Sequence, residues 1–426
     1  MTLAIFLGVL IGAILLGLPV AFALLLSALA LMVHLDTFSV DILAQSLING
    51  IDSFPLLAIP FFLVAGEVMA TGGLSKRIVR LATSLLGHRK GGLGYVAIFT
   101  SVLLAGLSGS AVADAAALVS ILYPMMKQSG YPEGRSLGLL AAGGIIAPVI
   151  PPSLPLIVLG VAGNISITKL FLGGIAPGLM MGVALMITWS LVTRKENLAV
   201  APRASGAERW AALRDGIWAL IMPILIIGGI RSGIVTPTEA AVVAAVYAIF
   251  VSMVIYREMT VSMLVQTLIS AGRSTAMVMF LVGAAMVAAW LITVAQLPQQ
   301  LAEALAPLVD RPRLLMLVIM ILVFLVGMVM DLVPSVLILV PLLLPVTQLA
   351  GIDPVYFGLM FIINSCIGLI TPPVGSVLNV VCGVGKAPMS KVVIGTLPFV
   401  AAYLILLGLF ILFPALIIVP MRFFAG

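Results

Sequence analysis

Long apolar runs separated by short polar loops recur along the whole chain, at Leu3–Val33, Leu93–Ala113, Leu170–Val192 and Val392–Val419 among others. A run of about 20 apolar residues crosses the hydrocarbon core as a helix. The pattern therefore predicts an all-α polytopic membrane protein. The first run is either one tilted span or two short ones broken near Gly17-Leu18-Pro19. It lacks a basic n-region and is too long for an h-region, so it does not read as a cleavable signal.

Two apolar stretches are interrupted by proline pairs, "IAPVIPPSLP" at residues 146–155 and "IGLITPPVG" at 367–375. Proline in a helix interior removes a backbone donor and costs about 3 kcal/mol. The two breaks belong to a longer correspondence. Pro124, Gly130, Pro151, Pro152, Gly174 and Pro177 recur as Pro345, Gly351, Pro372, Pro373, Gly395 and Pro398, at a single offset (345 − 124 = 221). Each half reads as a span, a connector, an apolar stretch with an Asp, a turn, an interrupted span and a closing span. Broken helices at matching positions of two halves point to a transporter's binding site at the repeat interface.

Composition agrees: 63% of the 426 residues are hydrophobic and 8% charged, against about 25% charged in ordinary soluble domains. Charge then sets orientation. With Lys76–Lys90 and Arg194–Arg214 cytoplasmic, five of the 21 Lys/Arg (Lys169, Arg231, Arg311, Arg313, Arg422) fall outside and 21 − 5 = 16 inside. This obeys the positive-inside rule and turns the two halves into inverted copies. The net charge of +6 thus reads as topology, with no basic-aromatic surface for nucleic acid.

Other chemistries find little support. The two histidines, His34 and His88, sit at loop ends, so neither a metal cluster nor a histidine-based triad can be assembled. "GVGKAP" (Gly383–Pro388) lacks the spacing and the Ser/Thr of a phosphate-binding loop. Cys366 and Cys382 lie in apolar sequence and read as packing residues. Two intramembrane aspartates raise an aspartyl protease, but the sequences around them do not resemble one another.

Four acids lie within or beside apolar sequence: Glu67, Asp114, Glu239 and Asp331. An acid at membrane depth is a functional candidate by default. Glu239 closes "TPTE", a helix-start signature, and is expected to cap. Glu67, near the Gly72-Gly73 break, reads as an interfacial or tertiary hydrogen-bonding group. Ser110/Asp114 and Asp331/Ser335 are each spaced to share one helix face and could offer oxygens to a cavity; a helix-end cap is the plainer alternative. Ser108-Gly109-Ser110 suits a hairpin tip. There, as at Gly143-Gly144, Pro151-Pro152-Ser153, Asn364-Ser365 and Thr371-Pro372-Pro373, irregular backbone frees carbonyls for a hard cation such as Na⁺. Freed N–H groups suit an anion.

"SGSAVADAAALVSILYPMMKQSGYP", "IAPVIPPSLPLIVLGVAGNISITKLFLGGIAPGL", "GIDPVYFG" and "IGLITPPVG" resemble the large membrane (M) subunit of tripartite ATP-independent periplasmic (TRAP) transporters, from about Phe61 to Phe399. The resemblance implies a Na⁺-driven secondary transporter of the bacterial inner membrane, with an elevator-type transport domain and a scaffold. It implies a small four-helix membrane (Q) subunit, not fused here, and a periplasmic substrate-binding protein (P subunit) that delivers an organic acid, a C4-dicarboxylate, sialic acid or a similar carboxylate. The division it implies is 1–60 N-terminal scaffold; 61–193 first inverted repeat, with a re-entrant hairpin at about 93–126 and a broken helix at about 137–160; 194–273 scaffold and basic loop; 274–413 second repeat, with a hairpin at about 313–345 and a broken helix at about 356–381; and 414–426 C-terminal end. Ser110, Asp114, Ser153 and Asp331 are the expected substrate residues. Ser108, Gly109, Gly144, Pro151, Asn364, Ser365, Thr371, Pro372 and Gly375 are the expected Na⁺ residues. Val333-Pro334 stand where small polar residues are more usual, which sets Ser335 apart from this list. A stand-alone ion-coupled anion transporter and a channel-forming subunit are the competing readings.

Overall fold

The computed structural model describes residues 2–194, 196, 198, 200 and 202–425. Gly17, at φ +84°, and Pro19 split the N-terminal run into two helices packed on each other, α1 (Thr2–Leu15) and α2 (Val20–His34). Then come α3 (Val40–Ile51), α4 (Ala58–Thr71) and, past the left-handed Gly73, the amphipathic α5 (Leu74–Leu86). A second group follows: α6 (Gly92–Ser108), α7 (Ala111–Gln128), α8 (Glu133–Gly144), α9 (Leu154–Ala162) and α10 (Ile167–Thr193). Next are α11 (Gly206–Arg231), α12 (Pro237–Phe250), α13 (Val261–Val294) and α14 (Leu297–Val309). The chain closes with α15 (Pro312–Gly327), α16 (Leu332–Leu349), α17 (Pro354–Leu369), α18 (Ser376–Gly385), α19 (Met389–Leu412) and α20 (Ala415–Ala425). No strand occurs among the described residues, and seven helical segments there are long and apolar enough to cross a membrane.

Local chemistry explains many boundaries. Thr236 and Glu239 form a reciprocal capping box: Glu239 accepts from the Thr236 amide at 2.7 Å, while the Glu239 amide donates to the Thr236 hydroxyl at 3.3 Å. The apolar run Val392–Val419 is two helices, because Pro414 follows Phe413 and cannot continue the ladder. Two edges expected for the domains, 60/61 and 273/274, fall inside the continuous helices α4 and α13. Gly272 lies within α13 without breaking it, because glycine costs a helix only about 1 kcal/mol.

The helices pack as two sets. α2, α3 and α4 lie against α13, α4 against α12, and α5 against α11. The other set interlaces α6–α10 with α15–α19: α8 packs on α19, α7 on α18 and α9 on α16. Residues at the 221 offset hold equivalent places in this second set. Pro124 and Pro345 lie inside α7 and α16, and Pro177 and Pro398 inside α10 and α19. Gly130 and Gly351 end their helices at φ +75° and +71°, and the Pro151-Pro152 and Pro372-Pro373 bonds are both cis.

Ion pairs and rings fasten the polar ends. Arg77 of α5 binds Asp215 at 3.0 Å and Glu258 at 2.7 Å, and lies 3.6 Å over the Tyr256 ring. Trp189 donates to the Gly91 carbonyl at 2.9 Å, seating the end of α10 on the start of α6. At the start of α8, the Tyr123 hydroxyl donates to Glu133 at 2.7 Å and, aided by Lys391, holds that carboxyl below its ordinary range.

Candidate functional site

The α6–α7 pair turns at Gly109 and Ser110, and this turn meets the first proline break. Gly109 is at φ +63°, and a Cβ there would lie 2.6 Å from the Pro152 carbonyl oxygen and 2.9 Å from the Ser153 Cα. Gly144 admits α7 in the same way: its Cβ would fall 2.6 Å from the Ala115 Cβ. The whole break, 145–153, is buried, including Pro151 and Pro152. Ser153 caps α9, accepting from the Leu156 amide at 3.3 Å and donating to the Pro148 carbonyl at 2.5 Å. Its hydroxyl is therefore used within the break. Ser108 ends α6, and its side chain lies outside the described part of the structure.

The second junction repeats the meeting of turn and break with different atoms. The Met328 carbonyl, at the α15–α16 turn, accepts from the amides of Val374 and Gly375, both at 3.2 Å. A Cβ on Gly368 would come within 2.5 Å of the Gly327 carbonyl carbon, so only a bare backbone fits. Gly375 starts α18 at φ +51°. Asn364 donates to the Met320 carbonyl at 2.5 Å, which leaves its Oδ1 buried with no partner among the described residues; the buried Ser365 Oγ also has none. Orphaned buried oxygens are uncommon, and two adjacent ones beside a broken helix are a chemically suitable start for a cation site. Thr371 instead donates to the Ile367 carbonyl at 2.8 Å. Pro372, Pro373 and Val374 are exposed, unlike their buried counterparts in the first break.

The two aspartates part company. Asp114, 6% exposed in the first turn of α7, lines a cavity of about 220 Å³ together with Ser110, the N-cap of that helix. Asp331 is exposed, caps α16 by accepting from the Leu332 amide at 2.8 Å, and does not line this cavity. Ser335 is fully buried and donates to the Asp331 carbonyl, so that pair does not present its oxygens together. The opposite wall of the cavity brings in Glu67 of α4, Ser75 of α5 and Ser274 of α13. Glu67 carries a sequence signal, an acid beside an apolar run that reads as an interfacial or tertiary hydrogen-bonding group, and the structure places it on this cavity. Ser75 and Ser274 carried none, because only tertiary packing brings them there.

A helical body with seven membrane-length segments, two proline breaks each met by a helix–helix turn, and an acid-lined cavity between two helix sets defines a multi-pass membrane transport protein. The sequence matches the family described as tripartite ATP-independent periplasmic transporter, DctM component, over residues 7–416. The chain belongs to this family of TRAP transporter large permeases, which are transporters and not enzymes. It is 56% identical over 422 residues to the 2,3-diketo-L-gulonate TRAP transporter large permease protein YiaN of Escherichia coli, covering 99% of each chain. It is 39% identical over 416 residues to the sialic acid TRAP transporter large permease protein SiaM of Vibrio cholerae, covering 98% of this chain and 97% of that one. Among solved structures, the Alcanivorax borkumensis YdaH transporter shares the fold, with a TM-score of 0.65 at 16% identity over 88% of this chain and 89% of the other.

Proposed function

We propose that this permease imports an organic acid across the bacterial inner membrane, driven by a Na⁺ gradient, together with a small membrane subunit and a periplasmic binding protein that delivers the acid. The meeting of each turn with a broken helix is the observation that carries this reading. Backbone oxygens freed by a break suit a hard, oxygen-seeking cation, and half-helix starts suit an anion. Na⁺ binds first, at Ser108, Gly109, Gly144 and Pro151 on one side and at Asn364, Ser365, Thr371, Pro372 and Gly375 on the other. At the second junction the orphaned Asn364 and Ser365 oxygens are its first side-chain ligands. The acid then binds beside Ser110 and Asp114. No Lys or Arg lines their cavity, so the start of α7 and the bound Na⁺ offset the carboxylate charge.

In this reading α6–α10 and α15–α19, which lie within the two inverted repeats, travel as one elevator-type unit against the remaining helices. Irregular backbone at membrane depth is tolerated only inside protein or beside water. One buried break and one open break fit a unit resting at one end of its travel. Organic-acid cargo agrees with the diketogulonate and sialic acid named for the two relatives.

Reconstitution in liposomes, with and without the binding protein, separates this reading from a stand-alone anion transporter. Uptake is expected only with the binding protein present. Equal uptake without it overturns the tripartite reading.

A further inference from the structure

We propose that Glu67 selects the cargo: with Asp114 and three serines it forms an acceptor-rich wall that takes a sugar acid, a hydroxyl-bearing monocarboxylate, in preference to a dicarboxylate. This rests on the import reading above. The cavity joins groups from four helices: Glu67 from α4, Ser75 from α5, Ser110 and Asp114 from α7, and Ser274 from α13. Glu67, Ser75 and Ser274 form no side-chain hydrogen bond or ion pair with any described residue. Ser75 is only 7% exposed and lines the cavity, so a ligand atom there would give its hydroxyl the partner that the described residues do not.

The chemistry of the wall narrows that ligand. Ionised carboxylates only accept hydrogen bonds, and hydroxyls both donate and accept. A cargo facing them must supply donors, which the hydroxyls of a sugar acid do. With two acids and no base on the wall, a second cargo carboxylate would face like charges in a setting where their repulsion is stronger than in bulk water. One carboxylate is still accommodated, at the start of α7 that Ser110 caps. The wall is also divided between helix sets: α4 and α13 pack with each other, whereas α7 belongs to the interlaced set. Glu67 therefore reads the cargo only while the α6–α7 turn stands opposite α4.

The test uses the purified permease with its small subunit, in Na⁺, and measures affinity for L-gulonate and succinate. Wild type is expected to prefer L-gulonate. Glu67→Gln should weaken L-gulonate about tenfold or more, the loss of a charge-assisted hydrogen bond, while succinate holds or tightens. Glu67→Asp should keep the preference, which a structural role would not foresee. Equal weakening of both acids by Glu67→Gln, or an unchanged preference, overturns the assignment of Glu67. Tighter binding of succinate by wild type overturns the sugar-acid reading alone. A wild-type complex that binds neither acid overturns the sugar-acid reading of the wall, while the import reading, in which the binding protein delivers the cargo, stands or falls on uptake with and without that protein.

Discussion

Gly109→Ala is expected to abolish uptake and lower the melting temperature, whereas Gly130→Ala keeps uptake near wild type. Both glycines sit in the left-handed region, at φ +63° and +75°, where an L side chain costs about 1–2 kcal/mol. Their surroundings differ. A Cβ on Gly130 meets nothing within 4 Å, while one on Gly109 lies 2.6 Å from the Pro152 carbonyl oxygen. That neighbour is backbone and cannot rotate away, so the α6–α7 turn must lift off the break. Overpacking of this kind adds about 1–3 kcal/mol and opens the proposed cation junction as well. Uptake at matched membrane abundance, with melting in detergent, checks both variants. Equal behaviour of the pair would show that the junction tolerates separation and does not shape transport.

Asp114→Ala is expected to reduce uptake at least about 100-fold, the equivalent of roughly 2.7 kcal/mol, while the protein still reaches the membrane. Asp114 is 6% exposed and lines the cavity, and an acid kept at membrane depth is functional by default. Membrane abundance is measured beside uptake, so that lost transport is separated from lost folding. Loss of uptake without loss of protein is therefore the discriminating result. Asp331→Ala should differ: an exposed N-cap is worth about 1 kcal/mol of stability, with a smaller effect on uptake. Normal uptake by Asp114→Ala at normal abundance would remove Asp114 from the site.

Features set by neighbouring residues were legible in the sequence. The two proline pairs mark real breaks in helices, and "TPTE" forms its capping box, because both follow from backbone donors a few residues apart. Helix-face logic placed Ser110 and Asp114 on one cavity but failed for Asp331 and Ser335, where the helix starts at Leu332 and leaves Asp331 outside as the cap. That Glu67 shares this cavity was not legible, because the meeting of α4 and α7 residues on one cavity is tertiary and no local pattern encodes it. The unequal exposure of the two breaks was equally hidden. Their sequences are alike, and the difference lies in what packs over them: a Cβ on Gly106 would meet the Pro223 ring of α11 at 3.1 Å and the Pro151 carbonyl at 3.7 Å.

Sodium coupling is tested most directly in proteoliposomes that hold the chain with its small subunit, supplied outside with the loaded binding protein. Acid accumulation is measured with an inward Na⁺ gradient and again after a sodium ionophore dissipates it. Accumulation above the outside concentration that collapses with the gradient is the predicted result. Accumulation that persists unchanged without the gradient would contradict it.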